Sequence, residues 1–292
     1  MGLLNGFKGI KFGKRLNIQD RFLLRKAAIS GTMSKFYMAE EKSDGKIVGL
    51  KILDKEKTKQ FEDRFKGMKG AKKPSEGEIS MKFDHPAIVK TTETGLTTSG
   101  EPYLIMEYME GTGLNNILLI KQDILAGGRM RYIRQCAEAL DHVHRKGFIH
   151  RDYCPRNLMF SGDGLSLKLI DFGLSVPNMS PFTDPGNRTG TPAYMAPELI
   201  RRRETNEKLD VFSFGVTMYE LCTRTLPWPP AQGGLAAMSH DQPATPITDY
   251  RPSLNPRLAK AIHNCILPNP RDRPTMKEFL MAIHNVEYED AR

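Results

Sequence analysis

Three side chains stand at spacings that could serve phosphoryl chemistry. Asp152, the last residue of His150-Arg151-Asp152, lies five positions ahead of Asn157, and Asp171 of Asp171-Phe172-Gly173 follows fourteen positions later. An aspartate in the first position can take a proton from an attacking hydroxyl. An asparagine and a second aspartate can hold Mg²⁺ against the phosphates of a nucleotide, since hard oxygen donors suit that ion better than softer metals. Any one of these triplets could arise by chance, and His-Arg-Asp alone could be a salt-bridge loop. Their order is hard to reach by chance, with Ala196-Pro197-Glu198 closing the segment 25 residues past Asp171.

The elements that must position these groups change character along the chain. Residues 1–20 read as a basic, glycine-rich tail. Gly2, Gly6, Gly9 and Gly13 depress helix propensity, although Leu3, Phe7 and Ile10 fall at helical spacing and permit a weak interfacial helix. Lipidation at Gly2 is rejected because Gly6 stands where a serine or threonine is wanted. Strands are expected over Phe22–Ile29, Lys35–Glu40 and Lys46–Leu53, with Ser43-Asp44-Gly45 as the turn between the last two. A lysine-rich connector, Lys55–Lys73, leads to a helix start at Pro74-Ser75-Glu76. Strands near Ala87–Thr92 and Tyr103–Tyr108 precede a flexible joint at Glu110–Gly113. Beyond it, helical patterns dominate at Met130–Lys146, Leu209–Cys222, Arg257–Cys265 and Met276–Asn285.

Composition narrows the classes. A chain of 292 residues reaches the roughly 250–300 at which a single core stops growing, so two lobes with a cleft are expected. No apolar run approaches the ~20 residues of a membrane span, and no secretory signal opens the chain. Cys136, Cys154, Cys222 and Cys265 lack metal-ligand spacing, which points to reduced thiols and a cytoplasmic location. The net charge of +9 is uneven: residues 1–73 carry 19 Lys/Arg against 8 Asp/Glu. Such a field could draw weak contact with acidic surfaces, but a solvated lysine-rich face is the simpler reading. Nucleic acid is not expected as a partner, because no stacking aromatics interleave with the basic residues.

With these motifs the chain resembles the eukaryotic-type protein kinase family, serine/threonine branch, over about residues 20–286. The resemblance implies an α+β, bilobal protein-kinase-like fold, with a small β-rich N-lobe over about 21–109 and a mostly helical C-lobe over about 110–292. An ATP cleft between them, and ATP and Mg²⁺ as cofactors, are implied with it. It makes Asp152 the catalytic base, Asn157 and Asp171 the metal ligands, and Lys51 of Val48-Gly49-Leu50-Lys51 the α/β-phosphate cation. Lys51 should pair with Glu76, with Glu78 as the alternative. Nucleotide contacts are implied at Ile29, Gly31, Phe36, Gly49, Lys51, Met106, Glu107, Met109 and Met159. Arg151, ahead of the base, implies regulation by a phosphorylated activation segment, with Thr189 as acceptor and Thr183 and Ser180 behind it. Glu198 should pair with Arg273, and Asp210 should brace the catalytic loop.

The chain also departs from its family. The phosphate loop reads Ile29-Ser30-Gly31-Thr32-Met33-Ser34, keeping only the middle glycine. Phe36 stands where valine is usual and Gly49 where alanine is usual, so the ring either covers a purine or blocks its pocket. Cys154 replaces the lysine that serves the γ-phosphate, and Arg156 is the candidate to supply that charge. Gly190-Thr191-Pro192-Ala193-Tyr194 matches the serine/threonine pattern, with Thr191 near the base. Ser80 and Thr91 fall in an otherwise apolar column, where they could bond to each other. The expected function is transfer of the ATP γ-phosphate to a protein hydroxyl. The alternative is a kinase-fold binding module with little turnover.

Overall fold

The computed structural model describes residues 15–25, 29–30, 33–65, 72–120, 124–186, 188–228, 240 and 242–290. The chain divides into two compact units. The first takes the described residues up to Asp84 together with Val89–Met109, and the second His85–Ile88 and the described residues from Glu110.

The first unit is an antiparallel sheet with short helices. Its elements are α1 (Ile18–Arg21), β1 (Phe22–Leu24), β2 (Ile29–Ser30), β3 (Ser34–Glu41), β4 (Ile47–Leu53), α2 (Lys55–Asp63), α3 (Glu76–Ser80), β5 (Thr91–Leu96) and β6 (Pro102–Glu107). The strand order is β1-β3-β4-β6-β5, with β2 paired to β3. Because side chains alternate across a strand, the register sorts them by face. Tyr37, Ala39, Val48, Leu50, Ile52, Tyr103 and Ile105 gather in one apolar cluster with Leu16 and Phe22. Phe36, Gly49, Lys51, Leu104 and Met106 fall to the opposite face through the pairs Phe36↔Lys51, Lys51↔Leu104 and Gly49↔Met106.

Several expectations are corrected here. Leu16 and α1 are not tail: Leu16 is buried, and Asn17 caps α1 by accepting from Gln19 N–H. Residues 1–14 lie outside the described residues. The Lys55–Lys73 connector contains α2, capped by Asp54, which accepts from the Glu56 and Lys57 amides. Phe61 and Phe65 are buried at i,i+4 spacing, a signal hidden among charges. β5 begins at Thr91 rather than Ala87. Ala87, Ile88 and Val89 are buried outside the strand, so their apolar run reported burial, not extension. The expected strand Phe22–Ile29 is two short pieces, β1 and β2.

The second unit holds α4 (Leu114–Leu119), α5 (Arg129–Arg145), β7 (Phe148–Ile149), β8 (Leu158–Phe160), β9 (Leu167–Leu169), β10 (Val176–Pro177), α6 (Pro197–Ile200), α7 (Lys208–Thr223), α8 (Ile247–Tyr250), α9 (Pro256–Cys265) and α10 (Met276–Ala282). α7 is apolar almost all round, which makes it the central helix, packed against α5 and α9. The Glu110–Gly113 joint is tied down: Thr112 O accepts from Phe160 N–H at 3.0 Å, and Gly113 bridges Met159. Two small two-stranded sheets matter most for chemistry. β7 pairs with β10 and β8 with β9, so residues 150–157 form a loop between β7 and β8, and Asp171 falls just after β9.

Candidate active site

In the first unit, Lys51 Nζ lies 2.6 Å from Glu76 Oε1, and both side chains are more than 90% buried. Glu78 is occupied elsewhere. Its carboxylate accepts from Ser75 N–H at 2.7 Å while Ser75 Oγ accepts from Glu78 N–H, a capping box that starts α3. The cap therefore sets which glutamate faces Lys51. Losing one member of a buried pair leaves an uncompensated charge, at a cost of about 3–5 kcal/mol.

Phe36 and Gly49 are sterically coupled. A Cβ on Gly49 would stand 2.7 Å from Phe36 Cζ and 3.1 Å from Met106 Cγ. The ring thus occupies the room that a methyl group at position 49 would need. Tyr108, which carries no motif that would single it out, lies nearly parallel to Phe36, with centroids 6.4 Å apart and planes 14° off. Ile29 pairs in register with Phe36. Met106 is buried, Glu107 and Met109 are half-buried, and the Glu107 carboxylate accepts from Lys90 N–H. Gly31 lies outside the described residues. Ser80 and Thr91 do not bond to each other: Ser80 Oγ donates to Gly77 O, and buried Thr91 Oγ1 has no partner among the described residues.

In the second unit, Asp152 is the centre of a hydrogen-bond cluster. Thr191 Oγ1 donates to Asp152 Oδ1 at 2.6 Å, and Asn157 Nδ2 donates to Asp152 O at 2.7 Å and Oδ2 at 3.0 Å. Arg156 Nη2 donates to Thr191 Oγ1 at 2.8 Å and reaches Asp152 Oδ2 at 3.4 Å, with its side chain 62% exposed. Cys154 is buried with Sγ 3.6 Å from Thr191 Oγ1. Burial, and then the Asp152 carboxylate, push its thiol pKa up, so it brings no charge to the site. Asp171 Oδ1 accepts from Gly173 N–H at 2.8 Å.

The loop is braced from below. Asp210 Oδ2 accepts from His150 N–H at 2.7 Å and Oδ1 from Arg151 N–H at 2.8 Å, with Arg151 held at φ 71. A left-handed arginine is costly, and two charge-assisted bonds to a fully buried aspartate offset that cost. Glu198 and Arg273 form the expected buried bidentate pair at 2.7 and 2.9 Å.

The Arg151 guanidinium is buried and donates to Phe182 O at 3.3 Å. Burial pulls it down to about 10, against the opposing pull of Asp210, so it stays charged at neutral pH. Thr189 is half-buried, and its hydroxyl is sealed from solvent without a partner among the described residues. Thr183 is buried, while Ser180 is exposed.

The residue types fit a magnesium nucleotide. With Nδ2 turned to Asp152, the Asn157 amide oxygen is left to a metal, and Asp171 supplies a carboxylate. No cluster of three His, Cys, Asp or Glu occurs among the described residues. One carboxylate and one amide is the kind of sparse set Mg²⁺ accepts when phosphates and water complete its shell.

Comparison with known proteins gives the same direction. The family described as "Protein kinase domain" matches residues 29–283. The chain is 31% identical over 261 residues to a hormonally up-regulated neu tumor-associated kinase homolog of Xenopus tropicalis, covering 89% of this chain and 36% of that protein. It is 32% identical over 238 residues to the Homo sapiens hormonally up-regulated neu tumor-associated kinase, covering 81% and 32%. The serine/threonine-protein kinase pkn3 of Myxococcus xanthus is 29% identical over 263 residues, 86% of this chain and 47% of that protein. The chain spans about a third of the length of the first two relatives. It belongs to the protein kinase domain family.

Proposed function

We propose that the protein transfers the γ-phosphate of ATP to a serine or threonine hydroxyl of a protein substrate, with Mg²⁺. The observation that carries this is the cluster around Asp152, in which a threonine, an arginine and an asparagine orient one carboxylate. Asp152 accepts the proton of the substrate hydroxyl as its oxygen bonds to the γ-phosphorus and the bond to ADP breaks. Lys51, aimed by Glu76, meets the α- and β-phosphates. Asn157 and Asp171 would hold Mg²⁺, which when bound neutralises phosphate charge. Phe36 and Tyr108 offer flat faces to the purine.

Arg156 supplies the cation that Cys154 lacks. It already makes the bond to Thr191 that a lysine two residues earlier could have made, and its exposed side chain is free to swing to an incoming phosphoryl group. Thr191 beside the base favours serine and threonine over tyrosine. Regulation acts on the segment around Thr189: phosphate there requires the hydroxyl to turn outward, and the new anion would draw on Arg151.

The test is incubation with Mg²⁺ and γ-labelled ATP, with sites mapped by tandem mass spectrometry, alongside thermal shifts with ATP alone and with Mg²⁺. Label on serine or threonine, first at Thr189, and a Mg²⁺-dependent gain in melting temperature are expected. No label and no such gain would favour a binding module with little turnover.

A further inference from the structure

We propose that residues 15–21 are a positioning strap, whose hold on β5 fixes α3 and through it the Lys51–Glu76 pair. The inference rests on the function proposed for that pair, but its geometry lies wholly within the first unit.

The strap is anchored at three places, of which the first and the last lie on β5. Leu16 N–H donates to Leu96 O, and Leu16 O accepts from Thr98 N–H, both at 2.9 Å, so the chain adds itself to the free edge of the sheet. The Leu16 side chain plugs the apolar cluster formed by Phe22, Ala39, Val48, Leu50, Tyr103 and Ile105. At the other end, Arg21 reaches both Glu93 oxygens at 2.9 Å and Glu41 at 3.0 Å, while Tyr103 OH donates to Glu93 at 2.6 Å. Between these anchors runs an open cavity of about 350 Å³, bounded by Asn17, Asp20, Arg21, Glu93 and Tyr103. Beside that cavity Ile18 packs against the same cluster and Gln19 O accepts from Lys42 Nζ at 2.6 Å, so the strap is held along its length.

β5 passes the grip to the helix. Thr94 follows Glu93 and points to the opposite face of the strand. Its hydroxyl donates to Tyr103 O at 2.9 Å, which locks the side chain. That locked side chain meets the backbone of α3: a Cβ on Gly77 would stand 2.6 Å from Thr94 Cβ. Gly77 is therefore the close contact between helix and sheet, and the residue before it is Glu76. α3 spans only Glu76–Ser80, too short to hold itself by helix propensity. Its position depends on its capping box and on this contact.

The test uses the full chain and hydrogen exchange followed by mass spectrometry, comparing wild type with L16A/R21M. The expected result is about tenfold faster exchange in a peptide over α3, where Ile79 N–H bonds to Ser75 O and Met81 N–H to Gly77 O, with a much smaller rise in β4, whose Val48 and Leu50 lose only the Leu16 plug. In kinetics, R21M should raise the KM for ATP in wild type but add little to E76Q, because both act through one pair. Exchange that rises at the β5 edge but not in α3 would overturn the proposal, as would a uniform rise across the unit. If the double variant fails to fold, R21M alone, which keeps the Leu16 plug, carries the same comparison. Because exchange does not depend on turnover, an inactive wild type would sink the proposed function and still leave this inference decided.

Discussion

In the first unit a bulky Phe36 stands against a bare Gly49, and in the second an uncharged Cys154 stands two residues from a charged Arg156. Both are places where the chain departs from its family, and each departure comes with a compensation of a different kind. The first is volumetric: the ring takes the space of a missing methyl, in a sheet where neither partner can move far. The second, as we propose, is electrostatic: a long, exposed arginine would stand in by reach for the lysine absent at position 154. Rigid compensation should show as strong coupling in stability, and mobile compensation as an effect on turnover alone.

The largest effect is expected where neither compensation exists. Asp171→Asn removes a metal-ligand charge and should abolish phosphoryl transfer while leaving the melting temperature near wild type. Wild-type transfer in this variant would remove Asp171 from the metal site.

Next comes the buried pair. Lys51→Met should cut transfer severely and lower unfolding free energy by about 3 kcal/mol, since it leaves Glu76 buried without its cation. Glu76→Gln should be milder in transfer, because the glutamate acts by aiming the lysine. Glu78→Gln should spare transfer and weaken the α3 cap by about 1 kcal/mol, readable in chemical denaturation.

Arg156→Ala tests the electrostatic compensation. It should lower kcat by about 100-fold with little change in the KM for ATP, because its charge is met mainly in the transition state. Cys154→Lys should restore part of that loss. An Arg156→Ala enzyme within threefold of wild type would show that the exposed guanidinium does not reach the phosphoryl group.

The volumetric compensation predicts the smallest change in turnover but a clear signature in stability. Gly49→Ala alone should cost about 1–3 kcal/mol by overpacking against Phe36, and Phe36→Val should rescue it. Calorimetry on the double variant reports the purine side. Weaker ATP binding means that the ring packs on the base, and tighter binding means that it obstructs it.

The catalytic segment was legible in the sequence because its chemistry is linear. Asp152, Asn157 and Asp171 lie close in the chain, and the β8–β9 hairpin turns it back so that Ile170 N–H bonds Asn157 O at 3.0 Å. Lys51 and Glu76 were legible through the family resemblance: Val48-Gly49-Leu50-Lys51 marks the strand, and Glu76 stands nine residues before His85-Pro86. What the sequence hid was tertiary. Leu16 and Ile18 look like the end of a glycine-rich tail until β5 and the apolar cluster lie beside them. Phe61 and Phe65 are masked by surrounding lysines, and Ala87–Val89 looks like a strand because apolar runs report burial without shape. Nothing in the sequence says that Thr94 rests on Gly77, or that Arg151 finds the Phe182 carbonyl.

The most direct test of the account is Mg²⁺-dependent transfer of labelled γ-phosphate to a peptide library containing serine, threonine and tyrosine, by wild type and Asp152→Asn. The substitution keeps the size of the side chain, the bond from Thr191 to Oδ1 and the bond from Asn157 Nδ2 to the backbone carbonyl, and it removes the base by replacing the Oδ2 acceptor with an amide N–H₂. Wild type should label serine and threonine peptides, and Asp152→Asn should fall by on the order of 10²–10⁴-fold at an unchanged melting temperature. Equal labelling by the two proteins, or labelling confined to tyrosine, would contradict the role assigned to the cluster around Asp152.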